Sequence, residues 1–380
     1  MATAAQSNGR DLRLDSLRGL LLVSMTANHL PSVFRVFSDQ SLGIFSSAEG
    51  FIFLSGLLAG WVYTRRLRAT GPAALHEAAT RRASLIYRWH VISFLACLGI
   101  VQLGQYVFGF CSTTSPQLFY SHPLGAALLG MALLHQPGLL DILPMYCAFV
   151  LMLPWVLRAL EGGHRLLVIA ASTALWLSVQ WAPPIDGAPL YPIHIGTFNL
   201  FAWQLLFVLG VVIGHARAAD PSSVRMRPNP ILIVLTTAGA AYLWIVNRYA
   251  SPEPWSDRTF GILLNKPAMG FLRMADFGMV AYLIGILAAA FPRLFEWKPF
   301  ELLGRHSLVV VATQSVVVMV LLQFPSLFAT QFANCVTSLG AFGVLFVAAA
   351  AHERFQASWR GRASARRPTP SGAEPSRVAS

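Results

Sequence analysis

The stretch 19–37 reads GLLLVSMTANHLPSVFRVF. A hydrocarbon layer about 30 Å thick takes roughly 20 apolar residues to cross as a helix, and this run supplies them. It carries Met25, Asn28 and His29, so it lacks the short apolar core and small-residue cleavage site of a signal peptide and reads as a retained helix. The rest of the chain has the same character. Of 380 residues, 55% are hydrophobic and 12% charged, with a mean hydropathy of +0.57, whereas soluble domains spend roughly a quarter of their residues on charge. Only helices and closed barrels satisfy their backbone groups in lipid, and the long unbroken apolar runs exclude a barrel.

Apolar runs separated by polar or Pro-rich breaks predict an all-α, polytopic transmembrane helical bundle of about ten helices, near 19–37, 43–63, 89–109, 143–160, 166–181, 200–215, 230–248, 272–291, 306–323 and 333–351. The chain divides into a cytoplasmic segment 1–18, a transmembrane domain 19–352 and a basic, disordered tail 353–380. With the N-terminus in the cytoplasm, the opposite side holds five of the 28 basic residues: Arg35, Arg248, Arg258, Lys266 and Arg273. That asymmetry is the positive-inside pattern, and it puts both termini on the cytoplasmic side of a bacterial inner membrane. The stretch 110–142 breaks the rhythm, because Leu124–Leu134 is apolar but too short to span, and reads as a periplasmic or re-entrant segment.

The net charge of +12 thus reflects topology and, in the tail, attraction to anionic lipid headgroups. Nucleic acid is not an expected partner, since the basic residues fall between apolar segments and at the C-terminus. Cys97, Cys111, Cys147 and Cys335 are scattered without ligand-like spacing, which predicts no metal site and no obligatory disulfide.

An ionisable group inside a span costs several kcal/mol, so each is a candidate functional residue facing the bundle interior. Arg18, His29 and Glu49 stand out in the first two helices. Arg18 starts the first helix, and eleven residues of rise put His29 about 16 Å deeper, past mid-membrane. Glu49, about 21 Å from the cytoplasmic end of the antiparallel second helix, comes to a comparable depth. An imidazole beside a carboxylate is held in one tautomer and can take a proton. The blander alternative stays open, in which His29 is a structural hydrogen-bonder and Glu49 pairs with an arginine. Asn28 could help line the site. Asp141 either shapes a periplasmic opening or caps a helix. Arg273 and Asp276 either pair on one helix surface or face the site. His90, beside Arg88, starts a helix at the cytoplasmic interface. Trp203 and Gln204, near the periplasmic start of the sixth helix, line a cavity, or the tryptophan is an interfacial anchor.

These residues carry a family resemblance. DSLRGLLLVSMTANHL at 15–30, with Arg18 and His29 eleven apart, resembles the first-helix signature of the acyltransferase-three superfamily of membrane acyltransferases. AEGFIFLSG at 48–56, ILPMY at 142–146, FNLFAWQLLFVLG at 198–210 and LGRHSL at 303–308 are similar to the OpgC group within it. The resemblance covers about 15–310. It implies an inner-membrane enzyme that moves a succinyl group from cytoplasmic succinyl-CoA to osmoregulated periplasmic glucans. It further implies His29 as catalytic base, Arg18 near the acyl donor and Glu49 as a second polar group in the cavity. One position departs from the pattern: Gln314 stands where a histidine is expected, so no catalytic role is carried over there.

An acyl-CoA made inside and a glucan outside call for a transverse passage. Arg18, Arg65, Arg66, Arg81, Arg82 and Arg88 form the pool of guanidinium groups for the nucleotide phosphates. His29 would then deprotonate a sugar hydroxyl, with Glu49 or a buried dipole stabilising developing charge, and Arg273 is the guess for a succinyl-selective cation. The donor, succinyl-CoA or acetyl-CoA, is a substrate, and no permanently bound cofactor is expected. Oligomer formation is compatible with all of this. Acetyl transfer to another envelope glycan is one competing reading, and a proton-coupled transporter using the same buried groups is another. Half-to-half similarity of the kind common in transporters is not evident.

Overall fold

The protein is described here by a computed structural model covering residues 11–40, 42–109, 117–181, 196–220, 227–249 and 262–365. Among these residues the regular structure is helical: α1 Leu12–His29, the short α2 Arg35–Ser38, α3 Ser47–Phe108, α4 Gln117–Ser121, α5 Pro123–Met131, α6 Ile142–Glu161, α7 Arg165–Gln180, α8 Leu200–Ala219, α9 Pro230–Tyr249, α10 Phe271–Ala290, α11 Lys298–Arg305, α12 Ser307–Leu322 and α13 Gln331–Ala365. Six described helices are long and apolar enough to cross a bilayer, or seven if α11 and α12, bent by 90°, form one span. Each of the ten predicted segments falls largely on a helix, but α3 contains two of them, and α7 has only 16 residues.

Three expectations need correcting. The first helix occupies 12–29 rather than 19–37. Asp11 caps it by accepting from the Arg13 amide at 3.1 Å, and the chain turns extended at Leu30 because Pro31 disfavours the α conformation in the residue before it. Arg18 therefore lies mid-helix, the proposed boundary at residue 18 falls inside α1, and His29 is its last residue. Second, the arginine-rich stretch 64–88 is helical rather than a loop. Only Gly71, at φ +81° and ψ +175°, interrupts α3, and Pro72 opens the second half, where its missing N–H costs nothing. Third, α13 runs on to Ala365, so the start of the expected tail is helical, and 366–380 lie outside the described residues. The described part of the stretch 110–142 before α6, residues 117–141, carries α4 and α5, and nine residues of α5 rise about 14 Å, too little to span.

Two glycine seams set the packing. Gly56 and Gly60 on α3 face the carbonyls of Phe207 and Val211, while Gly210 and Gly214 on α8 face those of Phe53 and Leu57. A Cβ at Gly56 would lie 2.1 Å from the Phe207 oxygen. The register rises on both sides, so the two helices run parallel with backbones in contact, as small-xxx-small pairs allow. The other seam crosses α1 and α11 in opposite directions, with Gly19 on the Phe300 carbonyl and Gly304 on that of Asp15.

Polar contacts define two ends of the bundle. One gathers Arg217 on Asp11 (2.6 Å), Arg13 on the Ala288 carbonyl (3.1 Å), and Arg68 and His215 on Glu161. The start of α1 and Glu353 of α13 lie at this end, linked through α11 by Gly304 and Arg305. The other end joins Arg248 to the Val36 carbonyl, Asn334 to that of Pro31, and the Asn199 amide to that of Pro267. Arg35, Lys266 and Arg273 share that second end with Arg248, while Arg258 is outside the described residues.

The α3/α8 seam is testable by thermal unfolding in detergent. Gly56→Ala is expected to cost about 1–3 kcal/mol through overpacking. Gly340→Ala on α13, where a new Cβ meets nothing within 4 Å, should be neutral or stabilising. Equal behaviour of the two variants would contradict the close approach.

Candidate active site

The loop before α3 carries the first layer of the site. Arg273, two residues into α10, donates from Nη1 to Glu49 Oε1 at 2.6 Å and to the Ile44 carbonyl at 2.8 Å. Its Nε donates to the Leu264 carbonyl at 3.2 Å. One turn on, Asp276 Oδ2 accepts from the Ile44 amide at 2.7 Å, so both polar groups of Ile44 are held by one helix. Glu49 Oε2 accepts from the Ser46 amide at 2.7 Å. Glu49 and Asp276 are fully buried and Arg273 is 4% exposed. Gly43 makes the approach feasible: its φ is +73°, and a Cβ there would sit 2.2 Å from Asp276 Oδ1.

This geometry revises the expected pairing. Glu49 is partnered by Arg273 and a backbone amide, and among the described residues no hydrogen bond joins it to His29. Arg273 and Asp276 do not pair on the helix surface; both reach the 43–46 loop. Arg273 uses Nε and Nη1 in these contacts, and its charge is paired with that of Glu49.

His29 ends α1 with an exposed ring. Among the described residues no hydrogen bond or ion pair reaches either ring nitrogen. Its neighbours, in contrast, are fixed. Asn28 donates to the Ser38 carbonyl at 3.1 Å and accepts from the Ser38 hydroxyl, so its amide braces the turn rather than lining a cavity. Asn334 donates to the Pro31 carbonyl at 2.7 Å and accepts from the Val33 amide at 3.0 Å. The cations close enough to act electrostatically on the imidazole are Lys266 and Arg35.

Lys266 sits on a turn whose backbone carbonyls are all occupied. Leu264 accepts from Arg273, Asn265 from the Gly270 amide, Lys266 and Pro267 from the Trp203 indole (3.1 Å each), Ala268 from Gln180 (2.8 Å) and Met269 from the Trp176 indole (2.8 Å). Trp203 is therefore neither an interfacial anchor nor a cavity wall: it is 0% exposed and holds this turn from behind. Gln204 exchanges hydrogen bonds with Ser172 on α7 (2.7 and 2.8 Å), which leaves its amide tying two helices together. Asp141 does not cap α6 with its side chain; Oδ2 accepts from the Thr197 amide at 2.9 Å, next to Gly196 at φ +112°.

A cleft on the arginine side is lined by Arg18, Phe51, Arg82, Ile142, Leu143, Tyr146 and Ser307, among others. Arg18 donates to the Ser307 hydroxyl at 2.6 Å and to the Gly304 carbonyl at 3.3 Å, and its guanidinium lies 5.4 Å from the Phe51 ring centroid. Phe51 is two residues from Glu49 and Ile142 follows Asp141 in the chain. Arg66 and Arg82 both lie near Tyr63. Arg65 is exposed, Arg81 pairs with Glu77 at 2.7 Å and Arg88 bonds its own helix at Ser84, so these three contribute little to the cleft. His90 is not at an interface: it is wholly buried in the middle of the second half of α3, 5.8 Å from the Phe94 ring. Gln314 is likewise buried, at 2% exposure.

Sequence reasoning weighed Lys266 only as a topological charge. The available signal was a lone charge in the mostly apolar frame ILLNKPAMGF at 262–271. No group of three or more metal-ligating side chains occurs among the described residues.

A family model described as OpgC protein matches residues 10–357. No curated protein and no solved structure matches the chain.

Removing Arg273 leaves a buried carboxylate without its cation. Arg273→Ala should therefore cost about 3–5 kcal/mol in chemical or thermal unfolding. Arg273→Met combined with Glu49→Gln should recover part of that loss, and a single variant as stable as the parent would contradict the clamp.

Proposed function

Because the chain belongs to the OpgC protein family, we propose that it is an inner-membrane O-acyltransferase moving a succinyl group from cytoplasmic succinyl-CoA to a hydroxyl of a periplasmic glucan, within the acyltransferase-three superfamily. Its termini face the cytoplasm in a bundle of about ten crossings. The observation that carries the reading is the state of His29: an exposed imidazole with no hydrogen bond among the described residues, at the end of the bundle where the Glu49 carboxylate is locked to Arg273 and backbone.

In this reaction an imidazole nitrogen takes the proton of the acceptor hydroxyl as its oxygen attacks the thioester carbonyl. The C–O bond forms, the C–S bond breaks, and the imidazolium returns its proton to the departing thiolate, giving ester and free coenzyme A. No acyl-enzyme is required. General-base help of this kind is worth about 10²- to 10⁴-fold. Glu49 acts as a positioning residue, through Arg273 and the 43–46 loop. Arg18 and Arg82 flank the donor's route, with guanidinium groups suited to phosphate or to a thioester's polar tail.

His29→Ala, tested in membranes with labelled succinyl-CoA and the cell's own glucan, should lose transfer by about 10²- to 10⁴-fold while keeping its insertion and melting temperature. Undiminished glucan labelling would remove the imidazole from the chemistry. Arg82→Ala should raise KM for the donor about tenfold, the loss of one charge-assisted contact, with little change in kcat. An unchanged KM would move the donor route elsewhere.

A further inference from the structure

The acyl-transfer reading leaves open what distinguishes succinyl from acetyl, a difference of one terminal carboxylate. The site holds three cations that could meet it. Arg273 already has its charge paired with the Glu49 carboxylate at 2.6 Å and donates to two carbonyls. Arg35 is paired with Asp39 at 2.9 Å, and its side chain is 48% exposed. Lys266 is different. Among the described residues its ammonium makes no hydrogen bond and no ion pair within 4.0 Å, and its recorded contact is the Phe198 ring, 5.9 Å from the nitrogen.

The turn that presents this lysine is unusually well fixed. Six successive carbonyls, from Leu264 to Met269, accept hydrogen bonds, with two buried indoles, Gln180 and Arg273 among the donors. Asn265 adds a side-chain acceptor for the Ala268 amide at 2.7 Å. Gly270 permits the closure, since a Cβ there would meet the Leu263 carbonyl at 2.3 Å. Such fixing holds the backbone of the lysine in place, and an ammonium left unpaired favours the ligand that brings its complement. Burial lowers the pKa of the ammonium, with Glu49, Asp39 and Asp141 pulling the other way, so an arriving carboxylate would relieve a desolvated charge. Lys266 also lies at the same end of the bundle as the His29 ring, within range of its charge.

We propose that Lys266 is the specificity-determining residue that binds the distal carboxylate of a dicarboxylic acyl group while the thioester carbonyl lies at His29. This rests on the acyl-transfer reading and deepens it by assigning one residue to the choice of a four-carbon diacid monothioester over a monoacid one.

The test uses the full-length protein in nanodiscs and non-transferable thioether analogues of succinyl-CoA and acetyl-CoA, with affinity measured by calorimetry. The parent protein should prefer the succinyl analogue. Lys266→Met should weaken that analogue about 10- to 100-fold and narrow the preference, and Lys266→Arg should restore part of it. A parent that binds both analogues equally, or a Lys266→Met variant that keeps the parent's preference, would overturn the assignment alone. A variant that weakens both analogues by the same factor would also overturn it, pointing to a scaffolding role. A parent that binds neither analogue would overturn the acyl-CoA reading along with it.

Discussion

The ion pair between Glu49 and Arg273 is the constraint on which the polar end of this bundle depends. Two charges removed from water are costly, and their attraction offsets that cost only when the remaining donors and acceptors are satisfied as well. Here they are. Arg273 adds two backbone carbonyls, Glu49 adds the Ser46 amide, and Asp276 closes the circuit on the Ile44 amide. The result fixes the loop before α3 against α10 and draws the 264–269 turn into the same network. It also engages the carboxylate of Glu49, and among the described residues no hydrogen bond joins that acid to His29.

Behind this network lies a scaffold of helices packed backbone to backbone. Lipid offers no hydrophobic gain for helix association, so contact must come from close van der Waals fit and polar ties. The four glycines between α3 and α8 provide the fit, and the pairs of α7 with α8 through Ser172 and Gln204 provide a tie. That rigidity explains why Trp203 can be spent on holding a turn. Its indole, wholly buried on α8, links the glycine seam to the segment that displays Lys266.

Much of the fold was legible in the residues, because apolar length and the placement of arginines are strong, local signals. The ten apolar runs fall on helices, and the basic residues expected on the sparser side that are described lie at one end. Helix ends were less legible. Pro31 cut the first helix short although the apolar run continued to Phe37, and the arginine-rich stretch after Tyr63 looked like a loop although the helix breaks only at Gly71, with Pro72 opening its second half. The site was legible in its members and not in its pairings. His29, Glu49, Arg273 and Asp276 each announced themselves as ionisable groups near spans. Which of them meet depends on how α10 packs against the 43–46 loop, two hundred residues away, and no spacing encodes that. Lys266 escaped notice as a site residue because a lysine at a helix end reads first as a topological charge.

The central claim is that an acyl thioester enters from the arginine end and reaches the imidazole at the opposite end. A cryo-electron microscopy structure of the full-length protein in a lipid nanodisc with the succinyl-CoA thioether analogue tests this most directly. The account predicts density for the pantetheine arm threading the cleft beside Arg18 and Arg82, with the acyl end next to the His29 ring. An analogue lying wholly on one surface, or an imidazole sealed beneath lipid chains with no path to either side, would contradict it.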